Sequence, residues 1–355
     1  MMEIKKERGA VYCNGKGWEL FDNQVKKLDP TKIFILTDQN TTVHCLPYFL
    51  KVAKINNFEH IEMTAGEAHK NIATCVTLWE TLSSKGADRN SLLINLGGGV
   101  VTDLGGFVAC TFKRGIEFIN IPTSLLAMVD ASVGGKNGVD LGFLKNQVGV
   151  IKNAKQVIID THFLKTLPSE HSTSGYAEML KHGIISSEAY WNELKKFDEN
   201  NFEATAALIW DSVLIKNKIV TEDPLEKGVR KTLNYGHTLG HAVESYLLDT
   251  KGTSTLLHGN AVAIGIILAT YISSEILDFP KQKLTEITKV INRSYEKVAF
   301  SKKDIDSIID LLIYDKKNND GKVLFVLLSD FAKHKTDCEV PNSLIHKAFE
   351  YYKNS

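Results

Sequence analysis

Two histidines, His237 and His241, stand four residues apart in a segment with helical periodicity. Residues at this spacing lie on one face of a helix, and two imidazoles placed in this way can begin a zinc site. A zinc site needs at least one more ligand, and Glu178 and His258 are the candidates elsewhere in the chain. Carboxylate and imidazole together suit zinc or a similar divalent ion, so the sequence predicts a site for one divalent metal.

Each of these residues also has a simpler explanation. Glu178 lies among apolar residues on a predicted helix, where it could pair with Lys181 or His182 at helical spacing. His258 precedes a glycine at the start of an apolar helix, a position where a histidine can cap the helix. A pair of histidines four apart also occurs without a metal. Spacing alone leaves both explanations open.

A second set of signals lies in residues 91–146, where glycines follow apolar segments in bursts. Gly97 to Gly99 come directly after the predicted strand Leu92–Leu96 and before a helical segment. Backbone N–H groups at such a turn can bind a phosphate. The stretch departs from the G-x-G-x-x-G fingerprint because Thr102 stands at the third glycine position. We therefore predict that this turn binds the pyrophosphate of a nucleotide, without the standard dinucleotide motif.

Lysines and arginines recur in positions that favour the binding of phosphate and carboxylate groups. A single cation of this kind is a normal surface residue, whereas several cations around one cleft would bind a phosphorylated acid. The candidates are Arg114, Lys136, Lys145 beside Asn146, Lys216, Arg230, Lys316 and Lys317.

Two regions of different secondary structure must position these residues. In the first region short apolar strands alternate with helices, which predicts an α/β domain with a parallel sheet. The strands are predicted at Lys32–Thr37, His60–Met63, Leu92–Leu96, Glu117–Ile121 and Gln156–Asp160. Asp38 follows the first strand, at the carboxyl end where open α/β sheets bind ligands, although it could equally be a helix N-cap.

From about Ser172 onward the helical period dominates. The helices are predicted at Ser174–Ser187, Tyr190–Phe197, Phe202–Thr221, Lys231–Leu248, Asn260–Leu277, Gln282–Ser294 and Lys303–Tyr314. We place the domain boundary near residue 172, which divides the chain into an α/β domain of residues 1–172 and an all-helical domain of residues 173–355. Because no flexible linker separates them, we expect the two domains to share a cleft.

The composition argues against several classes of protein. Lysine plus arginine equals aspartate plus glutamate, at 42 each in 355 residues, which argues against nucleic acid as the main partner. The five cysteines are scattered without a Cys-x-x-Cys pair, as in reduced cytosolic proteins. We see no secretory signal, and the apolar run Ala261–Ile272 is too short to span a bilayer. We therefore expect a cytoplasmic protein that does not enter a membrane.

Several long motifs together resemble the 3-dehydroquinate synthases of the sugar phosphate cyclase superfamily. They cover most of the chain, from about Asp38 to Leu328, and read LGGGVVTDLGGFVACTFKRG, IPTSLLAMVDASVGGKNGVD, GYAEMLKHG, RKTLNYGHTLGHAVE, LHGNAVAIG and DKKNNDGKVLFVLL. The resemblance implies an N-terminal α/β nucleotide-binding domain and an all-α C-terminal domain, in a cytoplasmic homodimer. It also implies catalytic NAD and one divalent metal, zinc or cobalt.

The resemblance assigns roles residue by residue. The implied metal ligands are Glu178, His237 and His258. His241 then contacts substrate, which replaces the first expectation that both histidines of the pair bind metal. Implied NAD contacts are Asp38, Glu67, Lys70, Gly98, Gly99, Asp103, Thr123, Ser124, Leu126, Thr166 and Leu167, with Asp130, Lys136 and Lys145 also near the cofactor. Implied catalytic residues are Asp130, Lys136, Asn146, Lys181, Lys216, Arg230 and His241, and implied substrate-binding residues are Arg114, Lys145, Asn234, Lys316 and Lys317.

The implied reaction converts 3-deoxy-D-arabino-heptulosonate 7-phosphate into 3-dehydroquinate and phosphate. The sequence departs from the family pattern at Asn137, where threonine is usual, and at Asn260, where glutamate usually follows the His-Gly pair. Three alternatives are a cyclase that makes a different carbocycle, a metal-dependent polyol dehydrogenase, and a nucleotide-binding protein without activity. Retention of all three implied metal ligands argues against the last.

Overall fold

The computed structural model describes residues 4–6, 9–142, 144–198, 201–251, 256–312 and 323–355. The chain forms two compact units. The first unit comprises Met1–Pro168 with Glu199–Asn217, and the second comprises Ser169–Asp198 with Lys218–Ser355.

The first unit is built on a parallel sheet. Its strands are β1 (Ile4–Lys6), β2 (Gly9–Cys13), β3 (Ile33–Asp38), β4 (Glu59–Met63), β5 (Leu92–Gly97), β6 (Glu117–Pro122), β7 (Lys136–Leu141), β8 (Leu144–Ile151) and β9 (Gln156–Ile159). Seven of them form one sheet in the order β1-β2-β9-β6-β5-β3-β4, in which only β1 and β2 pair antiparallel. The predicted α/β architecture is confirmed.

The central strands of the sheet are apolar because they are buried. Every residue of β5 is buried, as expected for a strand covered on both faces. The polar residues Asn95 and Asn120 lie opposite each other on β5 and β6, and the Asn95 Nδ2 donates to Asn120 Oδ1 at 2.8 Å. The sheet therefore contains one internal amide pair between otherwise apolar strands.

Helices pack around this sheet. Those of the first unit are α1 (Asn14–Leu28), α2 (Gln39–His44), α3 (Leu46–Ala53), α4 (Ile72–Ser84) and α5 (Gly99–Thr111). α5 is apolar and mostly buried, and it connects β5 to β6. The described helices after Pro168 are α6 (Ser169–Ser186), α7 (Glu188–Leu194), α8 (Phe202–Glu222), α9 (His237–Lys251), α10 (His258–Ile276), α11 (Lys281–Ser294), α12 (Lys302–Leu311) and α13 (Asn342–Asn354).

Sequence reasoning missed the antiparallel hairpin of β7 and β8, in which Gly138 pairs with Gly149. Lys145 and Asn146 lie on β8, which pairs antiparallel with β7. The hairpin also explains Asn137, whose Nδ2 donates to the carbonyls of Gly135 at 3.0 Å and Lys152 at 2.8 Å.

In the second unit, α10 is the central helix. It is long and apolar enough to cross a membrane, but 78% of its apolar window is buried inside the protein, as in the core helix of a globular domain. The unit also contains an antiparallel hairpin that was not predicted, formed by β10 (Leu324–Asp330) and β11 (Lys333–Glu339).

The predicted single helix Lys231–Leu248 is wrong. A 3-10 helix at Val229–Asn234 precedes α9, and α9 begins only at His237. Gly236 has φ of +77°, a left-handed conformation that ends the first segment and redirects the chain before the second.

Candidate active site

Three helices of the second unit bring together the predicted metal ligands. Glu178 lies on α6, His237 begins α9 and His258 begins α10. The Glu178 Oε1 atom is 3.1 Å from Nε2 of His237 and 3.6 Å from Nε2 of His258. Glu178 is fully buried, and among the described residues neither of its carboxylate oxygens accepts a hydrogen bond of good geometry.

Two glycines allow these helices to approach. A Cβ at Gly240 would lie 2.9 Å from the carbonyl oxygen of Ala261, so only glycine lets α9 pack directly on α10. A Cβ at Gly259 would collide with the main chain of Ser174, and the Gly259 N–H donates to Ser174 Oγ at 3.0 Å. This second contact holds the start of α10 against α6 and places His258 beside Glu178.

The other nitrogen of each histidine ring is also held. Nδ1 of His258 lies 3.0 Å from Glu244 Oε2, and Nδ1 of His237 lies 3.2 Å from the carbonyl oxygen of Tyr235. An acceptor at Nδ1 fixes the tautomer that leaves Nε2 available to a metal. Both Nε2 atoms face the same carboxylate oxygen, so the donor set fits one divalent cation.

Local charges shift the pKa values of these groups. Burial would raise the pKa of Glu178, but the Lys181 ammonium, which pairs with this carboxylate, and His237 lower it well below its usual range. Burial and Lys181 lower the pKa of His237. Burial acts in the same direction on His258, yet Glu244 and Glu178 outweigh it and raise the pKa of His258 to about 10. The carboxylate therefore stays ionised, as a metal ligand must be, whereas a metal that binds Nε2 of His258 must displace a proton from it.

His241 lies close to the same cluster. Its ring centroid is 5.0 Å from that of His237 and 5.5 Å from that of His258. One ring nitrogen from each of the three histidines falls within 4.8 Å of the others. Either ligand set, with Glu178 or with His241 as the third member, is therefore compatible with the positions of these side chains.

In the first unit, the predicted nucleotide contacts gather at the carboxyl edge of the sheet. α5 begins at Gly99, directly after β5, without a side-chain cap or an acidic residue in its first turn. The first N–H groups of such a helix attract an anion. A Cβ at Gly98 would come within 3.3 Å of Ser124 Oγ, so glycine keeps this approach open. These features fit the pyrophosphate of NAD.

Other residues that were predicted to contact NAD lie at or after the carboxyl ends of neighbouring strands. Asp38 ends β3 and caps α2, since its Oδ1 accepts from the Thr41 N–H at 2.8 Å. The buried Cys45 thiol contacts the side chains of both Thr123 and Thr166. Leu126 and Leu167 lie one residue outside short helical turns that follow β6 and β9, respectively.

A network of alternating charges joins further predicted residues. The Lys70 ammonium is 4% exposed and donates to Asp103 Oδ2 and to Asn146 Oδ1, both at 2.7 Å. Lys145 Nζ donates to Glu67 Oε1 at 2.6 Å. Burial lowers the pKa of Lys70, but Asp103 and Glu67 outweigh it and raise it. Burial raises the pKa of Asp103 despite Lys70.

Asp130 and Lys216 form a second predicted pair that the structure brings together. Asp130 lies on a π-helical turn, Ala127–Ala131, a distortion that occurs often at functional sites. Lys216 Nζ donates to the Asp130 carbonyl oxygen at 2.6 Å and to Oδ1 at 2.5 Å. The two contacts fix the Lys216 ammonium relative to the turn.

The remaining predicted residues are placed separately. Buried Arg230 donates from Nη1 to the Pro224 carbonyl at 2.8 Å, and Asn234 donates to Glu226 Oε1 at 2.7 Å. Arg114, which has φ of +71°, and Lys136, at the start of β7, have exposed side chains. Lys316 and Lys317 lie outside the described residues.

Two residues that matter to this geometry were not predicted. Glu244 holds His258, and its position on the same helical face as His237 and His241 was the signal that could have found it. Asp140, on β7, contacts the predicted residues Lys145 and Asn146, and no spacing pattern in the sequence indicated it. Asn260 stands where the family pattern has a glutamate, but its buried Oδ1 has no hydrogen-bond partner among the described side chains. Glu244, and not Asn260, therefore holds the His258 ring.

Comparisons with known proteins agree with these features. Sequence models described as 3-dehydroquinate synthase N-terminal and C-terminal match residues 60–174 and 175–318. The chain is 41% identical over 351 residues to the 3-dehydroquinate synthase of Parabacteroides distasonis, an alignment that covers 98% of this chain and 99% of that protein.

Solved structures share the fold. A 2-epi-5-epi-valiolone synthase from Streptomyces hygroscopicus, solved with NAD+ and Zn2+ bound, has a TM-score of 0.86 at 22% identity and covers 100% of this chain and 99% of its own. A 2-deoxy-scyllo-inosose synthase complexed with carbaglucose-6-phosphate, NAD+ and Co2+ has a TM-score of 0.83 at 23% identity, with 99% of each chain covered. At these identities the likeness establishes the fold.

Proposed function

The chain belongs to the 3-dehydroquinate synthase family, and from that premise we propose that it converts 3-deoxy-D-arabino-heptulosonate 7-phosphate into 3-dehydroquinate and phosphate. One observation carries the proposal beyond family membership. Glu178 Oε1 faces Nε2 of His237 at 3.1 Å and Nε2 of His258 at 3.6 Å, which is the donor set expected for one divalent metal.

The proposed site binds a divalent metal and NAD. Glu178, His237 and His258 hold zinc or cobalt, while the N-terminus of α5 with Gly98 and Gly99 binds the pyrophosphate of NAD. When bound, the metal would lower the pKa of a substrate hydroxyl, and NAD would accept one hydride and later return it, so no net oxidation results. The uncapped helix start and the ionised buried carboxylate support these assignments.

The remaining polar residues bind and orient the substrate. We propose that His241 contacts the substrate beside the metal and that Lys181 keeps Glu178 ionised. Lys216, fixed by Asp130, is suited to stabilise an anionic oxygen because its ammonium is already oriented before substrate binds. The phosphate and carboxylate contacts are Arg114, Lys136, Lys145, Asn146, Arg230, Asn234, Lys316 and Lys317.

Positioning is the main contribution of the chain in this scheme. The substrate is a flexible phosphorylated acid, and holding one conformer brings the leaving phosphate close to the proton that must be removed. The departing phosphate can serve as the base, so the scheme needs no dedicated general base among the side chains. After phosphate leaves, the ring opens, and closure to the carbocycle is an intramolecular aldol step that the same conformational control favours.

Assembly and location belong to the same proposal. We propose a cytoplasmic homodimer, in which residues 1–172 bind NAD and contribute Arg114, Lys136, Lys145 and Asn146 to substrate binding, while residues 173–355 bind the metal and the rest of the substrate. Light scattering of the purified protein at micromolar concentration measures the oligomeric state directly. A monomer mass at all concentrations would reject the dimer without affecting the proposed reaction.

The decisive experiment incubates the pure protein with the heptulosonate phosphate, NAD and Zn2+, and measures both phosphate and NADH. We expect phosphate release with formation of a dehydroquinate product and no accumulation of NADH. Stoichiometric NADH would identify a dehydrogenase instead. Absence of phosphate release with Zn2+ and with Co2+ would reject the proposed function.

A further inference from the structure

Asp140, on β7, is 8% exposed and contacts predicted site residues through both its backbone and its side chain. Its Oδ1 accepts from the backbone N–H of Asn146 at 2.6 Å, and its Oδ2 lies 3.7 Å from Nζ of Lys145. Its own backbone N–H donates to the carbonyl oxygen of Lys70 at 2.8 Å. One residue therefore contacts two proposed substrate-binding residues and one proposed NAD contact.

The hydrogen bond to Asn146 has a specific conformational role. Asn146 has φ of +51°, in the left-handed region that asparagine adopts more readily than most residues with a side chain. The Asp140 carboxylate accepts from the backbone N–H of Asn146 in this conformation, and the Asn146 side chain in turn accepts from Lys70 Nζ at 2.7 Å. The orientation of the Asn146 amide thus depends on Asp140 from one side and on Lys70 from the other.

A series of ion pairs connects the same residues. Asp140 faces Lys145, Lys145 pairs with Glu67 at 2.6 Å, and Glu67 lies 4.0 Å from Lys70. Lys70 then pairs with Asp103 on α5, the helix whose N-terminus is the proposed pyrophosphate site. In a largely buried network, removing one charge changes the positions that the remaining charges favour.

We propose that Asp140 is a positioning residue that holds Lys145 and Asn146 for substrate and links them to the NAD contacts Glu67 and Lys70. The inference rests on the proposed function, because it uses the roles assigned to those residues there. Asp140 itself touches neither substrate nor cofactor in this proposal.

Stability does not account for a carboxylate at this position. Burial raises the pKa of Asp140 above its ordinary value although Lys145 and Lys70 oppose the rise, so ionising this group costs folding free energy. An asparagine would accept the same Asn146 N–H through its carbonyl oxygen without that cost. The negative charge is therefore explained by what it does to Lys145.

The test compares Asp140→Asn with Asp140→Ala. The asparagine keeps an acceptor for Asn146 but loses the charge that faces Lys145, so we expect KM for the phosphorylated substrate to rise about tenfold, with kcat and the NAD Kd within about threefold of wild type. The alanine keeps the backbone N–H that donates to Lys70 but releases the N–H of Asn146, whose side chain accepts from Lys70. We therefore expect the NAD Kd, measured by calorimetry without substrate, to rise at least fivefold. Glu59→Gln, which removes an exposed pair with Lys85, is the matched control and should change neither constant.

A double-variant cycle separates positioning from a structural effect. If Asp140 acts through Lys145, then Asp140→Asn combined with Lys145→Ala should have the same KM as Lys145→Ala alone. Additive effects on KM, or an Asp140→Asn enzyme with wild-type KM, would overturn the inference while phosphate release by the wild type still supported the proposed function. If the wild type released no phosphate, the proposed function would fail, and the NAD Kd of Asp140→Ala would still decide the link to Lys70.

Discussion

The Nε2 atom of His237 lies 3.1 Å from the Oε1 atom of Glu178, although the two residues come from different helices and are 59 positions apart. His258 approaches the same oxygen at 3.6 Å from a third helix. A fully buried carboxylate is costly unless a cation compensates it, and the Lys181 ammonium pairs with this one. Lys181 does not explain why two imidazoles converge on the other carboxylate oxygen, and this convergence is the basis for the first predictions.

Removing a metal ligand should empty the site, whereas removing His241 should not. We expect Glu178→Gln and His258→Ala to lose Zn2+ on gel filtration, because each deletes one of the three proposed ligands. His241→Ala should retain about one Zn2+ per chain by mass spectrometric metal analysis and lose activity. An empty site in His241→Ala would instead assign His241 as a ligand, the alternative that its ring position permits.

Glu244 should tune metal affinity through His258. It accepts from His258 Nδ1 at 3.0 Å, and loss of such an outer partner weakens metal binding about 10–100-fold. We therefore expect Glu244→Gln to raise the Zn2+ Kd, measured by competition with a chelator, within that range. Glu275→Gln, at an exposed position of α10, is the control. Equal Zn2+ affinities for the two variants would contradict this role.

Gly259 should be required for the position of His258. A Cβ here would strike the main chain of Ser174, which cannot move as a flexible side chain can. We expect Gly259→Ala to cost about 1–3 kcal/mol of unfolding free energy and to weaken Zn2+ binding. Gly15→Ala in α1, where an added Cβ meets no described atom within 4 Å, should leave the Zn2+ affinity unchanged and should not lower the unfolding free energy, because alanine favours a helix more than glycine does. Unaltered Zn2+ affinity in Gly259→Ala would show that α10 can shift without moving the ligand.

Sequence periodicity was sufficient to predict the parallel strands, whereas residue type and spacing gave only candidates for the metal ligands. The apolar runs of β5 and β6 have few other solutions than buried strands. Glu178 was predictable because a carboxylate among apolar neighbours on a helix must find a cation. The resemblance, and not the spacing, separated His241 from the ligand set, and the side-chain positions alone still permit both sets.

Other features depend on contacts that no local pattern encodes. The β7 and β8 strands, KNGVDL and LKNQVGVI, mix apolar residues with glycine and polar residues, so they lack the continuous apolar run of the central strands. Asn137 also donates to two carbonyls and Asp140 accepts from the Asn146 N–H, and these partners become neighbours only after the chain folds. The break before α9 depends on the left-handed Gly236 within an otherwise helical pattern.

Lys136 should contribute to substrate binding alone. It is exposed at the start of β7, directly after two glycines, so its ammonium is accessible to a substrate. We expect Lys136→Ala to raise KM or lower kcat about tenfold or more, with the NAD Kd unchanged. Lys155→Ala, at an exposed lysine paired with Glu117, is the matched control. Wild-type kinetics in Lys136→Ala would reject the assignment.

The last prediction concerns the pH dependence of folding at Asp140. Burial raises its pKa above 3.8, with Glu67 adding to the rise and Lys145 and Lys70 opposing it. When an acid has a higher pKa in the folded chain than in the unfolded chain, its ionisation destabilises the fold. This loss of stability develops as pH rises from the pKa of the unfolded chain through the pKa of the folded chain. Asp140→Asn removes that loss. Its Tm should therefore equal that of wild type near pH 3.5 and be equal or higher at about pH 7.

Asp330 provides a control of opposite sign for this measurement. Lys283 lowers its pKa below 3.8, so its contribution to stability is present above that pH and disappears as pH falls through the lowered value. Asp330→Asn should therefore melt below wild type at neutral pH and approach it in acid. Calorimetric Tm values across this range test both signs in one experiment. An Asp140→Asn curve that falls below wild type as pH rises would mean that the ionised carboxylate stabilises the fold, and the charge at Asp140 would then need no functional explanation.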